Sequence, residues 1–381
     1  MRVLHVCSGN LYGGIETYLV ALARLRDLCP AMESEFALCF TGKLSEELQA
    51  HDAPVHSLGA VRVRYPWTVL AARAALRKLL HEKKYDVVVC HSSWPQALFG
   101  PVVRRGKLSL VFYLHGAAGN RHWADQLAAR VMPDFVICNS SYTQSTLPRM
   151  YPAVRNDVVY FPVAVPPKFA EDDRQTVRSE LQTPNDSTVI IQVSRMEAWK
   201  GQMLHLEALA RLPKTPEWTA WFVGGAQRTS EVQYAAGLKE KARKLGIADR
   251  LRFTGQRSDV ARLLSAADIF CQPNLEPEPF GIGFMEALYA SLPVVTTAMG
   301  GALEIVDSTC GILLPPNSSA ALASALQQLL IDPQTRRRLA GSAPLRAHQL
   351  CDPKKQMKAL ESLLSSAIGR ESEPRCDRQH A

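Results

Sequence analysis

The sequence predicts an α/β protein built of two doubly wound units, each with a parallel sheet. Short β-branched runs alternate with longer helical patterns through the first half, and the same alternation begins again after a proline-rich break. The length of 381 residues suits two large units, since domains average about 150 residues. Hydrophobic residues make up 47% and charged residues 21% of the chain, which excludes disordered and fibrous classes.

The first unit is expected to span residues 1–165. Helical patterns at Ile15–Leu28 and Pro66–Lys83 lie between its predicted strands. Strands that alternate with helices run parallel and carry helices on both faces of the sheet. The strands are expected at Val3–Cys7, Phe36–Phe40, Asp86–Cys90, Leu108–Leu114, Phe135–Cys138 and Val158–Tyr160.

The second unit is expected to span residues 174–345, after a hinge at Phe161–Asp173 that contains three prolines. A helix at 353–368 is expected to pack back on the first unit, and residues 369–381 to form a polar tail. We expect the two units to face each other across a cleft. Because open parallel sheets bind ligands at the carboxyl ends of their strands, this cleft should gather the loops that follow the strands. The remaining elements are expected at Thr188–Val193, Ala220–Val223, Leu251–Phe253, Asp268–Gln272, Pro293–Thr296 and, as a helix, Ala320–Leu330.

The cysteines and the apolar runs bear on the compartment. Nine cysteines are scattered without any C-x-x-C pair, which argues against a disulfide framework and against a zinc site. The apolar run Val3–Cys7 is too short for a signal peptide, and nothing approaches the length of a membrane span. We therefore expect a cytoplasmic protein with reduced thiols, peripheral on the inner face of the membrane if it meets a membrane at all.

The net charge of +8 is concentrated in one window, from Arg62 to Lys107. The window holds ten basic and two acidic residues, so it carries +8 and the rest of the chain sums to zero. It is either a solvated helix face or a surface that meets phosphates, in lipid headgroups or in nucleic acid. No nucleic-acid recognition motif accompanies it, so we expect an anionic membrane surface as the partner and no nucleic acid.

The densest group of chemically suggestive residues is Leu275–Glu286, which reads LEPEPFGIGFME. Two prolines display Glu278 on an extended loop, and Gly281 and Gly283 let the backbone approach a ligand before a helix that carries Glu286. Glycines that open a helix also leave N–H groups for an anion or a sugar hydroxyl. The alternative is a capped helix with a solvated Glu278.

A second group, Ser194–Gly201, follows a strand of the buried type. Arg195 and Lys200 are cations at a strand end, where they suit a diphosphate that gains charge as it leaves. The alternative is a surface ion pair between Arg195 and Glu197.

Two weaker candidates lie in the first unit. Gly13 and Gly14 open the first helix after the first strand, but they lack the spacing of a phosphate loop and could form a plain turn. His115, next to Gly116, ends a strand. It is a candidate for the site or a structural histidine.

Five short motifs follow one another along the chain. In order they are Gly13-Gly14-x-Glu16, His115-Gly116, Arg195-x4-Lys200-Gly201, Glu278-x7-Glu286 with Phe280-Gly281, and Gly300-Gly301-x-x-Glu304. In that order and spacing they resemble the family 4 retaining glycosyltransferases of the GT-B fold, in which two Rossmann-like domains face each other across a cleft. The resemblance extends from Arg2 to about Leu363. It implies an acceptor-binding first domain and a second domain that binds a nucleotide-sugar.

The resemblance implies roles in the second domain. Glu286 matches the glutamate that holds both ribose hydroxyls of the nucleotide. Glu278, with the backbone around Phe280, Gly281 and Ile282, matches the group that grips the hydroxyls of the transferred sugar.

The resemblance also implies roles for charged and loop residues. Arg195 and Lys200 match a diphosphate clamp that replaces a metal, so no metal and no cofactor are expected. The expected donor is a UDP-sugar. Gly13 and Gly14 match the loop that approaches the phosphate. His115 matches the histidine near the outer hydroxyl of the sugar and the reaction centre.

Two segments depart from the family pattern. The hinge reads Phe161-Pro162-Val163-Ala164 in place of the common Asn-Gly-Val-Asp, and the G-x-G after the second strand of the donor domain appears as Gly224-Gly225-Ala226. These departures affect the expected hinge and base contacts rather than the charged residues.

The sequence thus predicts a metal-independent hexosyltransferase that moves a sugar from a nucleotide diphosphate to an acceptor hydroxyl with retention, in cell-envelope polysaccharide or glycolipid synthesis. A lipid-linked or saccharide acceptor is expected. Three alternatives stay open: a sugar-nucleotide epimerase or phosphorylase of the same fold, a nucleotide-sugar binding protein without turnover, and a nucleic-acid binder.

Overall fold

The computed structural model describes residues 1–119, 122–167 and 169–368. The chain forms two compact units. Of the described residues, Met1–Pro162 and Pro353–Ile368 belong to the first unit, and Val163–Asp352 belong to the second. The expected polar tail, residues 369–381, lies outside the described residues.

The first unit contains a seven-stranded parallel sheet in the order β3-β2-β1-β4-β5-β6-β7. The strand order reverses between β1 and β4, which marks the edge where a doubly wound sheet binds ligands. Its strands are β1 Arg2–Cys7, β2 Glu33–Leu38, β3 Val55–Ser57, β4 Val87–His91, β5 Ser109–Leu114, β6 Phe135–Cys138 and β7 Asn156–Val158. Its first six helices are α1 Gly14–Arg24, α2 Lys43–Ala50, α3 Pro66–Glu82, α4 Ser93–Arg105, α5 Trp123–Ala128 and α6 Ser141–Thr146.

The second unit contains a six-stranded parallel sheet in the order β10-β9-β8-β11-β12-β13. Its order reverses between β8 and β11, so the loops after these two strands diverge from one point. The strands are β8 Thr188–Val193, β9 Trp218–Val223, β10 Leu251–Gly255, β11 Ile269–Gln272, β12 Val294–Thr297 and β13 Gly311–Leu314. The helices are α7 Glu171–Glu180, α8 Gln202–Leu209, α9 Thr229–Lys244, α10 Val260–Ser265, α11 Ile282–Tyr289, α12 Ala302–Ile305, α13 Ser319–Ile331 and α14 Pro333–Cys351.

The last described helix, α15 Pro353–Ile368, packs on the first unit. The side chain of Ser109 on β5 donates a hydrogen bond to the carbonyl of Ala367 at 3.2 Å, and the Gln356 side chain accepts one from the Tyr160 amide at 3.1 Å. Leu360 and other apolar residues on one face of the helix are buried.

Three elements were not expected from the sequence. The strands β3 and β13 have only three and four residues, too few for a period to show. Helix α14 begins at Pro333 and contains Pro344, and an internal proline ordinarily argues against a helix. The closing strand of the first sheet lies at Asn156–Val158, two residues before the expected Val158–Tyr160.

All eight cysteines within the described residues are free and buried. Burial raises the pKa of Cys39 to about 12, which keeps that thiol protonated at neutral pH. Within the same residues, no helix is both long and apolar enough to cross a membrane.

Glu35 on β2 is a buried carboxylate at the amino end of the first sheet. It accepts hydrogen bonds from Arg2 at 2.7 Å, Tyr85 at 2.7 Å and Lys83 at 2.9 Å, and its carboxylate lies 2.6 Å from His56. Burial alone would raise its pKa, but these hydrogen bonds outweigh burial and hold the pKa at about 2. The carboxylate is therefore a structural charge that stabilises the first unit.

Because the pKa of Glu35 is lowered by folding from 4.5 to about 2, its stabilising effect is complete above pH 4.5 and is lost as the pH falls toward 2. We expect Glu35→Gln to lower the free energy of unfolding by about 3 kcal/mol at pH 7 and by much less at pH 3. Urea unfolding at the two pH values measures the difference. Glu33→Gln, an exposed neighbour on β2, is the matched control, and an equal loss at both pH values would contradict the assignment.

Candidate active site

The loop after β8, Ser194–Gly201, lies against the loop after β11. Gly201 has a φ of 74°, and a Cβ there would lie 1.8 Å from the carbonyl oxygen of Pro273. Only glycine permits this conformation and this approach. The close approach brings together the two loops that leave the second sheet at its reversal point.

Lys200 and Glu278 meet at this junction. The Lys200 ammonium donates to Glu278 Oε2 at 2.6 Å and lies 3.8 Å from the centre of the Trp199 ring. The side chains of Lys200 and Glu278 are only 14% and 12% exposed. Burial lowers the pKa of Lys200, although the neighbouring carboxylate opposes that shift. The two predicted groups therefore form one ion pair that is largely, though not fully, buried.

Amide side chains complete the environment of Glu278. Asn274 and Gln272 donate to the same Oε2 atom at 3.1 and 3.3 Å. The main chain of Glu278 accepts from the Gly301 amide at 2.7 Å, and a Cβ on Gly300, whose φ is 61°, would lie 2.3 Å from the Glu278 carbonyl oxygen. The two glycines therefore allow the loop that displays Glu278 to pack closely.

Arg195 lies between two carboxylates. Its guanidinium donates to Glu197, which also accepts from the Trp199 indole at 3.1 Å, and it lies 3.6 Å from Glu231 at the start of α9. The ion pair with Glu197, the alternative suggested by the sequence, is therefore present. The Arg195 side chain is still 25% exposed, so it can meet a ligand as well.

Buried polar side chains fix the backbone of the loop Ser194–Gly201 by hydrogen bonds, and the sequence analysis did not identify them. Gln192 donates to the Lys200 carbonyl at 2.8 Å, and Gln202 donates to the Arg195 carbonyl at 2.9 Å. His205 is hydrogen-bonded to Gln192 at 2.9 Å. The signal was polar residues at positions expected to be buried on β8 and α8.

Helix α11 begins beside the same junction. Its N-cap residue, Gly281, has a φ of 117°, Ile282 is the first helical residue, and Phe280 before them is buried. Glu286, one turn into the helix, has no ion pair or side-chain hydrogen bond within the described parts of the chain. Loss of hydration raises its pKa to about 7. A carboxylate without a partner is an acceptor for ligand hydroxyls.

Gly13 and Gly14 form the turn that opens α1 in the first unit. The Glu16 carboxylate accepts from the Gly13 amide at 2.9 Å, and the Thr17 hydroxyl donates to the Gly13 carbonyl at 3.0 Å. The glutamate of the G-G-x-E motif therefore caps the helix from within.

His115 follows β5 at the same carboxyl edge of the first sheet. It is 8% exposed, its ring stacks on Tyr113 with centroids 4.3 Å apart, and Asn139 donates to its carbonyl at 3.0 Å. Burial lowers the pKa of its ring to about 3. The histidine is therefore neutral at physiological pH.

The structure thus places the predicted residues in two sets. In the second unit, Arg195 and Lys200 follow β8, and Glu278 and Glu286 follow β11. Gly13, Gly14 and His115 lie in the first unit, after β1 and β5. No group of three or more His, Cys, Asp or Glu side chains in residues 1–119, 122–167 and 169–368 could hold a metal ion.

Two family models match consecutive parts of the chain. Glycosyltransferase Family 4 matches residues 12–169, and Glycosyl transferases group 1 matches residues 173–346. The chain belongs to the family 4 glycosyltransferases. The family expected from the motifs is therefore confirmed.

Relatives of this glycosyltransferase act on different donors and acceptors. The GDP-mannose-dependent alpha-(1-6)-phosphatidylinositol monomannoside mannosyltransferase of Mycolicibacterium smegmatis is 29% identical over 361 residues, covering 84% of this chain and 87% of that protein. The lipopolysaccharide glucosyltransferase WaaG of Escherichia coli K12 is 32% identical over 169 residues, 43% of each chain.

Solved structures confirm the GT-B fold of this glycosyltransferase. The crystal structure of Anabaena Alr3699/HepE in complex with UDP-glucose has a TM-score of 0.85 and 26% identity, and the match covers 96% of this chain and 100% of that chain. The same Anabaena protein has also been solved with UDP.

Proposed function

We propose that this glycosyltransferase moves a hexose from a UDP-sugar to an acceptor hydroxyl with retention at the anomeric carbon. The observation that carries the proposal is the largely buried ion pair of Lys200 and Glu278, with Arg195 on the same loop as Lys200. The cations suit the leaving diphosphate, and the carboxylate suits the hydroxyls of the sugar.

The pairing of Lys200 with Glu278 fits a site that waits for a donor. In the free protein each charge is compensated by the other, so neither is left uncompensated in a buried position. A bound diphosphate would offer Lys200 a second anionic partner, and sugar hydroxyls would donate to the Glu278 oxygen that Lys200 does not occupy. The charge that develops on the leaving oxygen is then met by cations already in place.

The chemistry proposed is a front-face displacement. The acceptor oxygen bonds to the anomeric carbon on the face from which the diphosphate leaves, and the acceptor proton passes to the departing phosphate oxygen. Such a step depends on close placement and charge stabilisation rather than on a strong base. It requires no enzymic nucleophile.

The donor is proposed as a UDP-sugar because the Anabaena protein, which matches nearly the whole chain, was solved with UDP and UDP-glucose. GDP-mannose is the second candidate, since the M. smegmatis relative is named for it. The acceptor is proposed as a glycolipid or envelope polysaccharide, the class for which both relatives are named.

The test is release of nucleotide diphosphate from UDP-glucose and GDP-mannose, with and without phosphatidylinositol monomannoside or lipopolysaccharide core as acceptor. We expect acceptor-dependent release, with an α-linked product by NMR from the α-linked donor. Conversion of the donor without acceptor would indicate an epimerase. Donor binding without any turnover would indicate a binding protein.

We propose that transfer needs no metal, because Arg195 and Lys200 supply the positive charge at the diphosphate. The rate with excess EDTA should equal the untreated rate. Loss of activity in EDTA with recovery in Mg²⁺ or Mn²⁺ would contradict this.

We propose further that the first unit binds anionic membrane surfaces through the basic window. Arg73, Lys83 and Arg104 are engaged inside the fold, with Leu98, Glu35 and Asp134 respectively. The other seven basic residues of the window are Arg62, Arg64, Arg77, Lys78, Lys84, Arg105 and Lys107.

Apolar side chains accompany these charges. Trp67 and Leu70, in the first turns of α3, are each 64% exposed. Trp67 stacks on Tyr65 with centroids 5.0 Å apart. Exposed aromatic and aliphatic groups beside basic ones suit a membrane interface.

Sedimentation with liposomes tests this proposal. We expect binding to vesicles with anionic lipid at low salt and weaker binding at high salt, because each basic residue contributes about 1 kcal/mol at such a surface and salt screens that attraction. The double variant Trp67→Ala/Leu70→Ala should also bind more weakly, because it lacks the apolar groups that enter the interface. Leu345→Ala, at an equally exposed leucine of the second unit, should bind normally. Equal partition onto neutral and anionic vesicles would contradict the proposal.

A further inference from the structure

Three histidines form a continuous hydrogen-bonded row across the first sheet. His5 lies on β1, His91 at the end of β4 and His115 just after β5. His115 Nε2 lies 2.9 Å from His91 Nδ1, and His91 Nε2 lies 2.9 Å from His5 Nδ1. His5 Nε2 then lies 3.2 Å from the hydroxyl of Ser34 on β2. The row therefore crosses four neighbouring strands.

The row has two different ends. Ser34 is partly exposed, whereas the three histidines are buried. At the other end, His115 Nδ1 is buried and has no hydrogen-bond partner within the described residues. A buried polar atom left without a partner costs stability unless something binds it. Every other ring nitrogen of the row is paired, so this atom is the one at which a ligand would complete the network.

Burial keeps the rings neutral, because it lowers the pKa of His5 and of His115 to about 3 and holds the pKa of His91 well below its usual value. A neutral imidazole donates at one nitrogen and accepts at the other. The direction of one hydrogen bond in the row therefore dictates the direction of all of them. In one pattern His115 Nδ1 accepts, and in the other it donates.

We propose that Ser34, His5, His91 and His115 form a proton wire that lets His115 Nδ1 serve as either donor or acceptor to a substrate hydroxyl without becoming charged. That this substrate hydroxyl belongs to a sugar rests on the proposed function. Ser34, His5 and His91 are positioning residues, since they act through His115.

The switch between the two patterns conserves protons. When His115 Nδ1 gains a proton from a water molecule, which is left as hydroxide, its Nε2 proton passes to His91 Nδ1, and the His91 Nε2 proton passes to His5 Nδ1. The His5 Nε2 proton then passes to the Ser34 oxygen, whose own hydroxyl proton goes to water. One proton crosses the sheet, and every ring ends neutral.

The test is NMR of the full chain with ¹⁵N-labelled histidine, which reports which nitrogen of each ring carries the proton. We expect neutral rings between pH 5 and 8. Ser34→Ala removes the hydroxyl that accepts the His5 Nε2 proton in one of the two patterns. The other pattern, in which His5 Nε2 carries no proton and His115 Nδ1 carries one, should therefore become more populated, although His115 lies two rings away from the substitution. Ser109→Ala, a strand serine of the same sheet outside the row, should leave the His115 Nδ1-to-Nε2 proton ratio unchanged.

An unchanged His115 ratio in Ser34→Ala would overturn the wire and leave three histidines that only satisfy one another. Rings that titrate independently, each near the usual histidine pKa, would also overturn the wire. His91→Phe, which keeps a buried ring, should uncouple His115 from Ser34, so that adding Ser34→Ala no longer changes the ratio. These spectra need no donor, so a failed wire is distinguishable from a failed assignment of UDP-sugar transfer.

Discussion

Replacing Lys200 by methionine should slow sugar transfer by about 10²- to 10³-fold, the usual loss when one fixed group that stabilises transition-state charge is removed. Methionine retains much of the aliphatic stem beside Trp199 but removes the ammonium that lies 2.6 Å from Glu278. The leaving diphosphate then meets Arg195 alone. Steady-state rates at saturating donor measure the effect.

Lys241→Met is the matched control for this variant. Lys241 also pairs with a glutamate of the second unit, Glu207 at 3.0 Å, but both side chains are well exposed. It should transfer sugar at the normal rate, because exposed ion pairs contribute little. If Lys200→Met were folded and equally fast, Lys200 would lie outside the site.

The second large effect is expected for Glu286→Gln, which should weaken donor binding by roughly ten- to a hundredfold. The variant replaces a carboxylate that can accept from two hydroxyls with an amide of nearly the same shape. Because the pKa of Glu286 is raised to about 7, the ionised acceptor is progressively lost as the pH falls below 7. Wild-type affinity for UDP-glucose should therefore rise about tenfold from pH 6 to pH 8.

Titration calorimetry at the two pH values measures this affinity. Glu286→Gln should bind equally at both, since its amide does not titrate. Glu207→Gln, at an exposed site on α8, should retain the wild-type affinity and pH dependence. A pH dependence that persisted unchanged in Glu286→Gln would assign it to another group.

The main architecture could be predicted because most strands of the two sheets are short apolar runs between helical patterns. The strand Thr188–Val193 was predicted with its observed bounds. The short strands at Val55–Ser57 and Gly311–Leu314 were not predicted, because pairing with a neighbouring strand, rather than their own residue pattern, makes them strands.

The site could be predicted as residue types at strand ends, but not as contacts. Lys200 and Glu278 are 78 residues apart, and their meeting depends on β8 and β11 being neighbours in the sheet. The same holds for His5 and His91, which have no local motif. A lone histidine in a strand gives no sign of its partner until the strand order is known.

A thermal-shift panel of UDP-glucose, GDP-mannose and ADP-glucose, with Lys200→Met as the reference, tests the central claim that the second unit binds a nucleotide-sugar at Lys200 and Glu278. At about 100 times its dissociation constant, a ligand adds about 2.7 kcal/mol to stability. The account predicts that a UDP-sugar gives the largest shift to the wild type and a much smaller one to the variant. Equal shifts in both proteins, or none with any donor, would contradict it.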